Sequence, residues 1–265
     1  MLLIITDFMS TSLHHQLVIE VGKDFFAFGL KDLPTDKFTR FQSCNLDSLA
    51  PLDAQLDQIF SENNWLLATY RDILVIHNND LNTFVPQILF DETLMGNYLQ
   101  YTVKIYSTDF FDFDECHDMR NVYVPYVNFN NYLIDKLGTF SYRHISTVFL
   151  DYVLDNQTDI KDGVFVCINQ KSLLICVVQN GKFKLYNRFS VQSKEDFAYY
   201  TLFVYEQLNL DRLEIPLLLM GDITNDDDYY QLISEFIQKP SVLPLQKEVD
   251  TVSDVVRSHF LTLQV

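Results

Sequence analysis

The feature that most constrains the fold is a stretch, residues 163–190, that reads as three strands joined by two short turns. Asn180-Gly181 lies between two β-rich runs and predicts a type I′ hairpin turn, because these residue types tolerate positive φ at both central positions. Gln170-Lys171 is a weaker turn signal, supported by the apolar runs 164–168 and 173–178 on either side. Both runs are nearly continuous rather than alternating, which predicts a sheet covered on both faces.

A similar three-strand meander is predicted near the start of the chain, with strands over 16–21, 25–30 and 38–44 and a turn near Gly22-Lys23. Each meander is followed by apolar residues at helical spacing, first to about Asn63 and then from Phe197 to Leu208. A strand and a helix follow in both cases. The order of meander, helix, strand and helix therefore occurs twice, with starts at Gln16 and Val164, 148 residues apart. We predict an α/β protein with mixed sheets and two lobes, residues 1–157 and 158–265.

The remaining segments carry weaker signals. The stretch 109–118, rich in Asp and Phe, is predicted to be a solvated acidic loop, because it has neither EF-hand spacing nor a glycine at the required bend. The other predicted strands are 65–70, 73–76, 102–106, 121–126, 140–144, 215–220 and 241–245, and the other predicted helices are 91–100, 127–137 ending at Gly138, 148–156, 229–238 and 252–260.

Composition excludes several classes of function. A formal charge of −17 and a pI near 4.5 argue against binding to nucleic acid or to an anionic membrane, since both require a basic surface. The start, MLLIITDFMSTS, has no basic region before its short apolar run, and no stretch approaches the length of a membrane span. We therefore expect an acidic cytoplasmic protein that folds around a large core. The more specific hypothesis is that it presents an acidic face to a basic partner.

The sequence offers little for catalysis or metal binding. It has no G-x-S-x-G, G-x-x-x-x-G-K-[ST], G-x-G-x-x-G or H-E-x-x-H motif, and its four cysteines contain no C-x-x-C. The predicted hairpin register places Cys167 opposite Leu174 rather than Cys176, so we interpret the cysteines as reduced core thiols. No catalytic residue and no metal ligand is predicted.

The repeated order of elements resembles the actin-like ATPase fold, a duplicated RNase H-like architecture whose two lobes each open with a three-strand meander. Within that superfamily the chain resembles the small adaptors PilM and GspL, and more closely an uncharacterised Bacteroidetes family of unknown function. Two stretches carry this resemblance, VYVPYVNFNNYLIDKLGTFSYRH at 122–144 and KLYNRFSVQSKEDFAYYTLFVYEQL at 184–208. The alternative, that the repeat is illusory and the chain has another α/β fold, remains open at this point.

The resemblance implies where a nucleotide would bind. In active members of the superfamily the first turn of each meander cradles phosphate, an Asp-x-Gly at the strand end positions Mg²⁺, and a later Gly-Gly contacts adenosine. Here Glu20-Val21-Gly22 stands in the first position, followed by Lys23, and Asn169-Gln170-Lys171 replaces the second outright. Gly221 is the single glycine at the adenosine position.

These departures predict a degenerate nucleotide cleft. The seven glycines are spread singly, and Asn169 supplies neither an anionic ligand nor a base. Lys23, Gln170 and Lys171 read first as ordinary turn residues. The leading prediction is a non-catalytic adaptor or scaffold without cofactor that contacts a protein partner, with aromatic residues such as Tyr199 as interface anchors or core. The alternative is a divergent ATP-binding protein or weak ATPase that uses Mg²⁺, with Glu20 facing the metal and lysines on phosphate.

Overall fold

The computed structural model of the chain describes residues 14–156, 159–169, 171–245 and 254–265. These residues form two compact units, which we call unit one (14–147) and unit two (148–245 and 254–265). Gln170 and the start of the predicted last helix lie outside the described residues. The lobe boundary between residues 157 and 158 stays a prediction.

The main sheet of unit one begins with the predicted meander, β1 (His15–Gly22), β2 (Phe25–Asp32) and β3 (Lys37–Asn45), paired antiparallel. Two parallel strands, β4 (Asp72–Asn78) and β8 (Ser141–His144), complete it in the order β3-β2-β1-β4-β8. Helices α1 (Leu52–Glu62) and α3 (Val127–Leu137) contribute buried residues to the core on one side of this sheet. Helix α3 ends at Gly138, which has a positive φ of 80°, as the sequence predicts.

A second, three-stranded sheet is inserted after β4 and contradicts several predictions. It consists of β5 (Asn82–Pro86), β6 (Asp112–Cys116) and β7 (Met119–Tyr123), in the order β5-β7-β6, with the short helix α2 (Met95–Leu99) packed beside it. The prediction of an acidic loop over 109–118 is therefore wrong, since half of this stretch, residues 112–116, forms β6. No strand forms at 102–106, and residues 64–67 form a 3₁₀ turn in place of the predicted strand 65–70. In that turn Trp65 packs on Phe28, with ring centroids 5.5 Å apart, so tertiary packing overrides its β propensity.

Unit two repeats the architecture of the main sheet. The meander β9 (Gly163–Asn169), β10 (Ser172–Gln179) and β11 (Lys182–Ser190) is followed by β12 (Leu217–Gly221) and β13 (Pro240–Val242), in the order β11-β10-β9-β12-β13. The helices are α4 (Ile145–Asn156), whose first turn belongs to unit one, α5 (Lys194–Gln207), α6 (Asp228–Ser234) and α7 (Asp254–Ser258).

The structure confirms the predicted repeat at the level of pairing. In each five-stranded sheet the third strand of the meander lies at one edge, the first strand lies at the centre, and two parallel strands follow. All of β9 is buried, as its continuous apolar run predicts, and Cys167 lies opposite Leu174. Asn180 and Gly181 both have positive φ, 53° and 67°, as a type I′ turn requires.

Candidate functional site

The predicted site residues of unit one lie where β1 ends and turns into β2. Glu20 is fully buried, and the Asn78 side-chain Nδ2 donates a hydrogen bond to Glu20 Oε1 at 2.7 Å. Asn78 is the last residue of β4, which runs parallel to β1 and places Asn78 opposite Gly22. The carboxylate that would face a metal in the alternative hypothesis is thus held by the neighbouring strand.

Gly22 and Lys23 have separate environments although they are adjacent. A Cβ added at Gly22 would lie 2.0 Å from Cε1 of Phe25, a buried ring that covers the glycine backbone. Lys23 is exposed at the turn. Gly22 therefore makes room for a packed side chain, while the Lys23 ammonium group lies in water.

The corresponding residues of unit two lie at the turn between β9 and β10. Asn169 is the last residue of β9 and is buried, opposite Ser172. Lys171 is exposed, and its carbonyl oxygen accepts a hydrogen bond from the Val191 backbone N–H at 2.8 Å. The predicted contact of Gln170 lies outside the described residues. A carboxamide at residue 169 offers a neutral oxygen where the resemblance stated above implies a carboxylate.

Gly221 ends β12 next to β9 in a conformation that other residues rarely adopt. Its φ is +88°, and an added Cβ would lie 2.0 Å from the carbonyl oxygen of Ile168. The Asp222 backbone N–H donates to that same oxygen at 2.8 Å. The close approach of two main chains explains why glycine stands here, without any ligand.

Each unit thus groups three of the predicted residues at one end of its main sheet: Glu20, Gly22 and Lys23 in unit one, and Asn169, Lys171 and Gly221 in unit two. Two cavities of unit one lie elsewhere. One, of about 630 Å³, is lined by residues 67–73 and 136–141 at the amino ends of β4 and β8. Ligand sites of open α/β sheets lie at the carboxyl ends of the strands, which is the opposite end. The other, of about 440 Å³, is lined by Leu52, 108–110 and 124–129.

A buried polar network in unit one was missed by the sequence analysis. Asp114 of β6 is buried, and its carboxylate accepts hydrogen bonds from the His144 backbone N–H at 2.8 Å, from Thr147 Oγ1 at 2.5 Å and from the Tyr123 hydroxyl at 3.1 Å. Burial is the largest influence on Asp114 and raises its pKa, and the hydrogen bonds from His144 and Thr147 oppose this. Burial also raises the pKa of Tyr123, and the Asp114 charge adds to the effect.

The network continues through amides. Asn121 donates to Thr147 Oγ1 at 2.9 Å and accepts from Asn82 at 2.8 Å, so β5, β6 and β7 are all joined to the first turn of α4. His144 Nε2 lies 3.3 Å from Asn79 Oδ1. The only local signal in the sequence is the alternation of Asp112, Asp114 and Cys116, because every donor to Asp114 comes from elsewhere in the chain.

His77, at the end of β4, is a buried neutral imidazole. The Tyr126 backbone N–H donates to His77 Nδ1 at 3.1 Å, so the ring proton is on Nε2. Burial lowers the pKa of His77 to about 4, and the nearby Asn130 side chain opposes the shift. Neither Nε2 nor Asn130 Oδ1 makes a well-formed hydrogen bond. These contacts give His77 a structural role in the core of unit one.

Comparison with known proteins assigns the fold. A family model described as "Protein of unknown function (DUF3822)" matches residues 8–239, and no match is found among the curated proteins. A solved structure from Bacteroides thetaiotaomicron VPI-5482, described as having an actin-like ATPase fold and unknown function, is similar with a TM-score of 0.81 and 17% identity over 96% of this chain and 97% of that one.

Two further solved structures are similar to this chain. A chain of the PilM–PilN type IV pilus biogenesis complex matches with a TM-score of 0.62 and 11% identity, over 96% of this chain and 97% of that one. The cytoplasmic domain of EpsL, an inner membrane component of the type II secretion system of Vibrio cholerae, matches with a TM-score of 0.49 and 9% identity, over 94% and 93% of the two chains. The last score is too low to carry an argument. The Bacteroides thetaiotaomicron structure and the PilM–PilN structure confirm the predicted actin-like fold.

Proposed function

The chain belongs to the family described as protein of unknown function (DUF3822), and from this premise we propose that it is a non-catalytic adaptor or scaffold of the actin-like fold. It acts in the cytoplasm through contacts with another protein. Within the described residues no helix has both the length and the apolar character needed to cross a membrane.

The observation that carries this proposal is the chemistry at the two meander turns. Glu20, the carboxylate at the first turn, is buried and accepts a hydrogen bond from Asn78, and the second turn offers the neutral Asn169. A Mg²⁺ ion bound through phosphates needs accessible oxygen ligands, and anionic ones bind it best. A buried carboxylate and a carboxamide are poorly suited to that task, which favours loss of hydrolysis.

The glycines support the same conclusion. Phosphate cradles need consecutive backbone N–H groups that approach the anion closely, as glycine permits. At Gly22 the space above the backbone is filled by the Phe25 ring, and at Gly221 it is filled by the main chain of Ile168. Both glycines are explained by packing.

The proposed partner is a protein with a basic surface. One similar structure is a complex of PilM with PilN, which favours an adaptor role for this chain by analogy of fold. The formal charge of −17 adds a physical reason, because a strongly acidic protein attracts basic partners and repels nucleic acid.

Calorimetric titration with ATP and Mg²⁺ tests the proposal. We expect no binding heat and no phosphate release from the folded protein. The informative variant pair is Lys23→Ala with Lys171→Ala, since both side chains are exposed. The matched control pair is Lys182→Ala with Lys184→Ala, which removes two exposed lysines from β11.

Binding that disappears in the first pair and persists in the control pair would establish the alternative, a divergent ATP-binding protein. Glu20→Gln then separates binding from metal use, because glutamine keeps an acceptor for Asn78 and removes the charge. Magnesium-dependent binding that this variant abolishes would assign Glu20 to the metal.

A further inference from the structure

Helix α5 of unit two is apolar on its outward face as well as its inward face. Its buried side consists of Phe197, Ala198, Thr201, Val204 and Tyr205. On the opposite side Tyr199 is 62% exposed and Phe203 is 39% exposed. A surface helix ordinarily carries charged and polar residues on its solvent face, and a helix that is apolar all round is normally covered.

The exposed rings are held in a fixed arrangement. Tyr199 and Phe203 are one helical turn apart and stack at 6.2 Å with an interplanar angle of 19°. Tyr199 also contacts Tyr200 at 5.2 Å, and Tyr200 stacks on Phe189 of β11 at 4.3 Å and 11°. Four rings therefore run from the sheet edge to the helix surface. Aromatic anchors that are already ordered lose little entropy on binding, which is typical of interface hot spots.

Carboxylates flank the exposed rings of α5 on both sides along the helix. Glu195 precedes Tyr199 by one turn, Glu206 follows Phe203 by one turn, and both are exposed. Lys194, the cation of the first turn, is engaged by Asp228 at 3.1 Å. We call the surface formed by Glu195, Tyr199, Leu202, Phe203 and Glu206 the α5 face. The two glutamates are eleven positions apart in the helix, which corresponds to a rise of about 16 Å.

We infer that the α5 face is the docking surface for the partner of the proposed adaptor, and that the docked element is an amphipathic helix with an apolar stripe and basic residues at both ends. This inference rests on the proposed function and adds the surface and the chemistry of the partner. Two cations about eleven residues apart on a partner helix match the separation of the glutamates.

A second copy of the chain fits this surface poorly. Antiparallel packing of two α5 helices about a two-fold axis places Glu195 of one copy beside Glu206 of the other, at both ends of the contact. Like charges opposed across an interface weaken it, and each chain carries a formal charge of −17. A basic partner instead neutralises both carboxylates while it covers the rings.

The test measures fluorescence anisotropy of a fluorescein-labelled helical peptide mixed with the full chain. The peptide has about eighteen residues, with a leucine stripe along one face and a lysine at each end of that stripe, about eleven residues apart. The variant pair Tyr199→Ser with Phe203→Ser removes the rings. The control pair Tyr101→Ser with Tyr106→Ser removes two exposed rings of unit one. We expect the first pair to weaken binding at least about tenfold and the control pair to leave it unchanged.

The charge requirement has its own matched comparison. Glu195→Gln with Glu206→Gln is expected to weaken binding several-fold at low salt, whereas Glu62→Gln with Glu92→Gln, two exposed glutamates of unit one, is not. These controls separate a defined site from general attraction between an acidic protein and a basic peptide. Phe203→Arg is a second variant that repels the peptide and suits an exposed helix position, should the serine pair lower the unfolding midpoint.

The inference is overturned if the peptide does not bind, if both aromatic pairs weaken binding equally, or if light scattering shows a dimer that Tyr199→Ser with Phe203→Ser dissociates. The last result would assign the α5 face to a second copy. None of these outcomes affects the adaptor proposal, which fails only if the ATP titration shows binding or turnover at the meander turns.

Discussion

Gly221 provides a direct test of whether this position is kept for packing or for a nucleotide. We predict that Gly221→Ala destabilises the protein strongly, because two costs add. An L-residue at a φ of +88° loses about 1–2 kcal/mol relative to glycine. The new Cβ would also lie 2.0 Å from the Ile168 carbonyl oxygen, so the two main chains must separate.

Separation of the main chains breaks the 2.8 Å hydrogen bond from the Asp222 N–H to the Ile168 carbonyl, worth about 1 kcal/mol net. It also disturbs the end of the β9–β12 pairing, where Gly221 lies opposite Ile168. The backbone and hydrogen-bond costs together predict a loss of at least about 2–3 kcal/mol in the free energy of unfolding. Gly181→Ala is the matched control, since Gly181 also has a positive φ, of 67°, but has no atom within 4 Å of an added Cβ. It should cost only about 1–2 kcal/mol.

Urea unfolding followed by circular dichroism measures both variants against the wild type. Equal destabilisation by the two alanines would refute the packing argument. A stable Gly221→Ala protein that had lost binding of ATP would instead assign this glycine to the nucleotide.

Three further predictions concern the buried polar groups of unit one. In the unfolded chain His77 is protonated below about pH 6.5, whereas in the native protein its pKa is about 4. The wild type should therefore lose up to about 3 kcal/mol of stability relative to His77→Gln as the pH falls through this window. Urea unfolding of both proteins at pH 7 and pH 4.5 measures the difference in stability, and a difference that does not change with pH would contradict the buried neutral state. Asp114→Ala should lower the free energy of unfolding by about 2–4 kcal/mol at pH 7, because it leaves the buried donors of His144 and Thr147 without this acceptor. The control Glu115→Ala removes an exposed salt bridge and should lower it by less than about 1 kcal/mol. Because burial raises the pKa of Asp114, the wild type should also lose stability relative to Asp114→Asn as the pH rises through the native pKa, and the opposite trend would contradict that assignment.

Local signals in the sequence were sufficient for the repeated meanders. The Asn180-Gly181 turn requires positive φ at neighbouring residues, and this requirement predicts the hairpin turn, although the β10–β11 register shifts once between Val177 and Val178. The continuous apolar runs of β9 and β10 correctly predicted burial on both faces, and the register between them placed Cys167 opposite Leu174. In each case the deciding interactions join residues that are close in the chain.

The inserted sheet shows where such reasoning fails. A run of Asp and Phe reads as a solvated loop, since an isolated buried carboxylate is costly. The structure offsets that cost with three donors, and the nearest in sequence, Tyr123, is nine residues from Asp114, while Thr147 is thirty-three residues away. The sequence of β6 itself does not predict these hydrogen-bond partners.

The candidate site also has features that the sequence predicts and features that only the structure shows. The sequence determined which residue types stand at the predicted site: a glutamate, single glycines, lysines and an asparagine in place of an acid. Only the tertiary structure decided that Glu20 is buried and hydrogen-bonded to Asn78. It also decided that the main chain of Ile168 occupies the space beside Gly221, and that Tyr199 and Phe203 lie outside the core. The physical reason is that burial and hydrogen bonding depend on what neighbouring elements bring to a residue, whereas turn geometry and strand periodicity are properties of the local chain.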